Sequence, residues 1–569
     1  MKTIYLILFL SFVIFSVTSG LAKEKEEIYS KKYISNYLSG IISLDLNETE
    51  NGFKFLNKID PLKEKHSNFN IRFINSLILL EKFDEAFVFS KSISSKNKIF
   101  FEADLLLGLD SYTKKDYEIA EKYFKRLNKT SDSSMIFDDL FGNILMSWLE
   151  ASKGNKEESL KFVNRVPNKF YSLKLIQNSF LQCYFDSLDT PNLYTQVIDE
   201  NELDFSRYNF FLLNYFIYKN KNEEIVKLVK KMKSLKNKNL LLKESINFVN
   251  SGKEKKITDL FNCKNPKDSI AEIFYIIANL YSTEKNFQKS NFYLNISLFL
   301  NNKFTPNKAL RAENFFYLGD EKLSKELYES LKKIGPAYSW FATKSIGAIL
   351  LNSKSKKKYA VSYVEKEFKD LPDHNFEHYY ELGNFYKDNN FYKQAIEFYS
   401  KTLENINPKH TLVPKILDKR GTCFERLSMW KEAEDDLKKS LQILPDQAYV
   451  LNYLAYSWIE KKINIREALK MLAKADNLKK NDPYIKDSLG WAHYANKNYV
   501  EAEKFLRLAV ILLPLDPTIN DHYGDTLWML QKPIQARYFW DFVLNLDNTE
   551  KELKEIIAKK ITFGVPKKL

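Results

Sequence analysis

The chain has 569 residues, 44% hydrophobic and 28% charged, with only 15 Gly and 15 Pro; this excludes collagenous, linker-rich and Pro-rich disordered architectures and leaves a helix-prone globular protein. Its net charge of +14 comes from 87 Lys+Arg against 73 Asp+Glu, but only ten of the bases are Arg, the planar residue that grips phosphate and guanine bidentately. The excess is a diffuse Lys background, densest at 227–243 and 354–358, and no nucleic-acid partner is expected.

In chain order, Lys2 precedes an apolar run over 4–17, then Thr18-Ser19-Gly20-Leu21-Ala22 and the charged Lys23-Glu24-Lys25-Glu26-Glu27. This is the pattern of a secretory signal peptide over 1–22. The run is shorter than the ~20 residues that span a bilayer, and the alternative is an uncleaved inner-membrane anchor through residues 4–17. No Cys stands near the cleavage point, against a lipid-modified N-terminus. Removing 22 residues leaves 569 − 22 = 547.

Past the leader, Ile74, Phe83 and Ala86 are repeated 34 residues on at Gly108, Tyr117 and Ala120. A third unit runs through Ser147, Gly154, Ser159 and Val163, and the pattern then fades over 168–267. The three cysteines, Cys183, Cys263 and Cys423, are odd in number and far apart, so they are expected as small buried apolar residues rather than a disulfide framework. From 271 the repeat is plain. Small residues stand at 278, 312, 347, 383, 421, 455, 490 and 524, separated by 34, 35, 36, 38, 34, 35 and 34. Six of the eight are followed twelve residues on by a second small residue, as Ala502 follows Gly490, and helices end at prolines such as Pro514.

This spacing resembles the tetratricopeptide repeat (TPR), a helix–turn–helix unit whose small residues let two helices approach closely. The resemblance implies an all-α TPR-type α-solenoid, a right-handed superhelix of antiparallel helix pairs. The expected organisation is a signal peptide over 1–22, diverged repeats over 23–270, eight repeats over 271–550 and a capping helix and tail over 551–569. Together these form one stack of a dozen or so pairs. Over 410–569 the likeness is more specific. Asp487-Ser488-Leu489-Gly490-Trp491, the run from Ile519 to Asp525, Trp528, Ala536-Arg537, and Leu451-Asn452-Tyr453-Leu454-Ala455-Tyr456 (Ala455 standing where Gly is usual) resemble the C-terminal end of exported TPR proteins of alphaproteobacteria. That likeness implies protein binding in the bacterial cell envelope.

Signatures of catalysis are missing from the sequence: there is no GxGxxG, GxxxxGK, GxSxG, HExxH or EF-hand pattern, so neither cofactor nor enzymatic activity is expected. His374 and His378 share a helical face, yet two ligands do not make a zinc site, and no metal is expected. A solenoid instead offers the concave face of its first helices. Three before and one, four and five after each anchor give Asn452, Tyr456, Ile459 and Glu460; then Asp487, Trp491, Tyr494 and Ala495; then Asp521, Asp525, Trp528 and Met529. Of these, Asn452, Tyr456, Asp487, Trp491, Tyr494, Asp521, Asp525 and Trp528 are the candidate partner-binding residues. Acidic and aromatic, they suit an extended or helical protein segment carrying Lys or Arg. The reading is a non-enzymatic, periplasmic protein-interaction scaffold. Its alternatives are an envelope-biogenesis or secretion factor tethering polysaccharide or peptidoglycan machinery, and an enzyme with a site hidden in 168–267.

Overall fold

The computed structural model describes residues 30–566 apart from 60–61, 63–65, 95–99, 129–138, 200–203, 236–237, 353–356 and 372–373. The expected leader and the anchor segment 4–17 lie outside the described residues. Every element described is helical, and the helices follow one another as fifteen antiparallel pairs and a last single helix, Lys551–Phe563. Among the described residues no helix is long and apolar enough to cross a membrane.

The repeat is written most clearly in its turns. Between the two helices of a pair the chain reverses through one residue in the left-handed region, where only Gly is free of a Cβ penalty. Such residues recur at Asn47, Glu81, Lys115, Gly154, Asp186, Asn220, Gly252, Lys285, Gly319, Asn390, Ser428, Lys462, Lys497 and Gln531. Asp186, Asn220 and Gly252 lie in the stretch where the sequence pattern fades. There the pairs continue as Tyr171–Tyr184 with Thr190–Ile198, Asn209–Tyr218 with Asn222–Ser234, and Leu240–Asn250 with Lys255–Leu260. The described helices of 168–267 thus continue the pairing of their neighbours.

The small anchors act at a second spacing besides the expected twelve. A Cβ on Gly108 would lie 2.5 Å from Phe124, on Gly383 2.8 Å from Tyr399, on Gly490 2.6 Å from Leu506, and on Gly524 2.5 Å from Trp540. The large residue sixteen positions later on the second helix thus fills the space the anchor leaves. The twelve-residue contact is also present: Ser324 Oγ donates to the Ala312 carbonyl at 2.9 Å, and Ser147 Oγ to that of Ser159 at 2.8 Å.

The chain forms two compact units, 1–371 and 372–569, and the division falls inside the run of eight anchors. In the first unit the stack curls back on itself. Helix Phe287–Leu300 packs on Ser67–Leu79, and Pro266–Thr283 packs on Leu140–Ser152 and Tyr171–Tyr184. Phe83 stacks on Phe299 at 4.6 Å, and Phe141 lies 5.6 Å from Phe274 and 6.1 Å from Tyr293. Asn295 Nδ2 donates to the Ile78 carbonyl at 2.8 Å, Gln288 Nε2 to the Leu44 carbonyl at 2.6 Å, and Arg311 pairs with Glu81. One hydrophobic cluster therefore runs from Leu44 to Phe304, and the pair 266–300 fills the inner face of the earlier repeats.

Within that unit Cys183 and Cys263 form a disulfide, their Cα atoms 6.0 Å apart. This corrects the expectation for those two cysteines, which fold topology brings together across three helix pairs. Cys423 is free and buried, as expected.

Candidate partner-binding groove

In the 372–569 unit the first helices of successive pairs present one face in register. Their starts are set locally: Asp482 Oδ1 accepts from the amides of Tyr484 and Ile485 at 3.0 and 3.2 Å, and Asp516 Oδ1 from that of Ile519 at 3.0 Å. Each acid caps a helix whose first residue is proline, the favoured N-terminal arrangement. With phase and start fixed, Asn452, Asp487 and Asp521 occupy equivalent places, and so do Tyr456, Trp491 and Asp525.

The predicted residues divide into two groups. Asn452, Tyr456, Trp491 and Trp528 are half-buried, with one side open. Asp487, Asp521, Asp525 and Tyr494, expected on the same face, are buried. Asp487 is paired with His522, whose Nδ1 lies 3.0 Å from its Oδ1. Lys560, on the last helix, donates to Asp521 at 2.7 and 2.8 Å and to Asp525 at 2.8 Å. Trp540 Nε1 donates to the other oxygen of Asp525 at 3.2 Å. Trp491 lies between His522 and Tyr494, with ring centroids 4.0 and 4.5 Å away, and its Nε1 donates to Glu460 at 2.8 Å.

The cluster sets three carboxylates against one ammonium and one imidazole. Burial, reinforced by Asp521, pushes the Asp525 carboxyl up to about 6 despite Lys560. Burial works against the charge on His522, but Asp487 outweighs it, with Asp521 and Asp525 behind, and raises the imidazole above its ordinary value. Lys560 is likewise opposed by burial and held charged by Asp521 and Asp525.

Sequence reasoning missed His522, Lys560 and Trp540. It also stopped two repeats too soon. Further along the same face, Lys419 Nζ donates to Asn384 Oδ1 at 2.8 Å and Tyr453 OH to Glu425 Oε2 at 2.8 Å. Burial raises the pKa of Asp418 and lowers that of Lys419. The 34-residue ladder that located Asp487 and Asp521 leads back to Asn452, Asp418 and Tyr380, so the signal was there to follow. The candidate zinc pair has a local role: Asn375 Oδ1 accepts from the His378 amide at 3.1 Å while His378 Nδ1 accepts from that of Asn375 at 3.4 Å, a reciprocal helix cap. Among the described residues no group of three or more His, Cys, Asp or Glu is placed to hold a metal ion.

Helix pairs of this length, closed by small anchors at this spacing, define the protein as a tetratricopeptide-type α-solenoid. No family model matches the chain. A TPR repeat-containing protein of Pseudomonas aeruginosa is 24% identical over 210 residues, which is 36% of this chain. The chain spans about a third, 34%, of that relative's length. Among solved structures, yeast Tom70 aligns over 81% of this chain and 95% of its own at 15% identity and a TM-score of 0.35. PilW, described as a widely conserved type IV pilus biogenesis factor, aligns over 33% of this chain and 84% of its own at 17% identity and a TM-score of 0.30.

Proposed function

We propose that this protein is an exported, non-enzymatic scaffold of the bacterial cell envelope, which docks a segment of another protein on the first-helix face of its 372–569 unit. The observation that carries the reading is the row Asn452, Tyr456 and Trp491. These half-buried polar and aromatic side chains stand in register on successive first helices. Half-exposed aromatics on a rigid helical face are strong anchors for a partner. Glu460, exposed beside Trp491, favours a segment bearing Lys or Arg.

Export is supported by the apolar run over 4–17 and, independently, by the buried Cys183–Cys263 bond, because such bonds persist in oxidising compartments and are rare in the cytosol. The test is a photo-reactive amino acid placed at Tyr456 in living cells. The expected result is one discrete adduct with another protein, lost when Trp491 is also changed to Ala. Recovery of uncrosslinked chain alone overturns the scaffold reading.

A further inference from the structure

Three of the eight candidate groove residues are covered by one short stretch of the same chain. Lys560 occupies the acids Asp521 and Asp525. Four residues later the backbone turns through Gly564, φ +78°, and lies against the Trp528 indole so closely that a Cβ there would stand 2.0 Å from Cζ2. Between the two, the Ile561 carbonyl accepts from Arg537 Nε at 2.9 Å, and the Arg537 guanidinium sits 5.0 Å from the centre of Trp528. The segment thus presents an ammonium to the acid pair and plain backbone to the aromatic ring, the same two features expected of a docked partner.

Besides these contacts, Ile557 enters the core of the last repeat, with Leu553, Ile561 and Val565 packed partly buried against it. Of the thirteen residues of Lys551–Phe563 only Ile557 and Lys560 are buried, while Ile556 and Phe563 are 50% and 80% exposed. A helix serving only to end the stack needs an apolar inner face and a polar outer one. This one has such an apolar face, but beside it stands a buried lysine, which ending the stack does not require; removing the ammonium and its two acids from water offsets much of what their attraction contributes. An incoming lysine ammonium replaces that of Lys560 one for one against Asp521 and Asp525, so the exchange leaves the charge balance of the cluster unchanged.

We propose that the segment 551–566 is a strap carrying a ligand for the last repeat. It fills the acid–aromatic end of the groove from within, and an incoming lysine-bearing segment gains Asp521, Asp525 and Trp528 only when the strap swings out about the residues that follow helix Pro533–Asn545. The idea rests on the groove being a docking face, but its test needs no natural partner, so the two stand or fall separately.

The test uses the full chain and, as probe, a fluorescein-labelled synthetic peptide of residues 550–566. Gly564→Val removes the tail's approach to Trp528 without touching the acids, and Lys560→Ala removes the ammonium. Each is expected to raise amide hydrogen exchange in 551–563 at least ten-fold while leaving 376–495 unchanged. The peptide is expected to bind the Gly564→Val chain at least ten-fold more tightly than wild type, and to lose that gain when Asp521→Asn is added. Equal affinity for wild type and Gly564→Val, or binding to neither, overturns the strap. Faster exchange spreading through 483–529 in both variants also overturns it, since the segment would then be an inseparable part of the last repeat.

Discussion

The two units use the same helix pair to opposite ends. In 1–371 the inner faces of the first helices are filled by the chain's own pair 266–300, and the helices that meet there are buried nearly all round: twelve of the thirteen residues of Leu140–Ser152, and eight consecutive residues of Phe287–Leu300. Second helices keep a charged outer side in both units, as in Tyr117–Leu127 and Trp430–Ile443. Among the described residues of 372–569, a long unbroken buried run on a first helix comes only at the last pair, from Ile519 to Leu527 of Pro517–Met529. The first helices before it leave Asn452, Tyr456 and Trp491 partly open. A solenoid's concave face is a site only when the chain does not occupy it, and whether it does is set by the polarity of a few later helices rather than by the repeat itself.

If that contrast is right, truncating the plug strikes hardest. Phe274→Ala, at a fully buried ring stacked on Phe141, is expected to destabilise the first unit by about 3–5 kcal/mol. Calorimetry should show one transition moving and a second, from 372–569, staying in place; a common shift would mean the units unfold together. Breaking the Cys183–Cys263 bond by a double change to Ser should cost the same unit about 2–4 kcal/mol, again without moving the second transition. The mirror experiment is Gly490→Val, whose new atoms meet Leu506. Overpacking of this kind costs about 1–3 kcal/mol, and hydrogen exchange should rise in 483–512 and not in 1–371.

A subtler difference concerns pH. In the second unit Asp525 is raised to about 6 from 3.8 by burial and Asp521, among Asp487, His522, Tyr494 and Lys560. Its penalty is absent below pH 3.8 and grows as pH rises through about 6. His522, raised above 6.5, contributes stability that is full below 6.5 and is lost as pH rises through its higher value. Both signs agree. The protection factor of helix 551–563, its exchange relative to the unstructured peptide at the same pH, should be larger at pH 5.5 than at pH 8, and a flat protection profile would show the cluster to be titration-silent. Smallest of all, Tyr456→Ala should change stability by under about 0.5 kcal/mol while reducing crosslinking from the neighbouring Trp491 position.

Much of this architecture could be read from residue spacing, because close helix packing tolerates few side chains: Gly383, Gly421, Gly490 and Gly524 had to be small. What misled was the middle of the chain. The anchor pattern fades there, yet the left-handed turns hold their spacing at Asp186, Asn220 and Gly252, mostly on residues that carry a Cβ and so do not announce themselves. The plug also left a mark that periodicity alone passes over: residues 290–302 contain no charged side chain, and 140–149 none, as helices wetted on neither side require. The disulfide was illegible, since its cysteines are 80 residues apart and only the folded pairs bring them together. At the candidate groove, the residue spacing puts Asp487 and Asp521 at equivalent places of successive first helices. Their partners His522 and Lys560 come from later helices, and a base 39 residues downstream of Asp521 cannot be assigned without the fold.

The Cys183–Cys263 bond also sets how far the protein can be stretched. Under tension, stacked repeats peel apart one after another. While the bond is intact the loop it closes, a sequence separation of 80, bears no load, and about 270 Å of contour length at ~3.4 Å per residue stays locked away. An oxidised chain is therefore a shorter tether than a reduced one, by a length that single-molecule pulling reads directly.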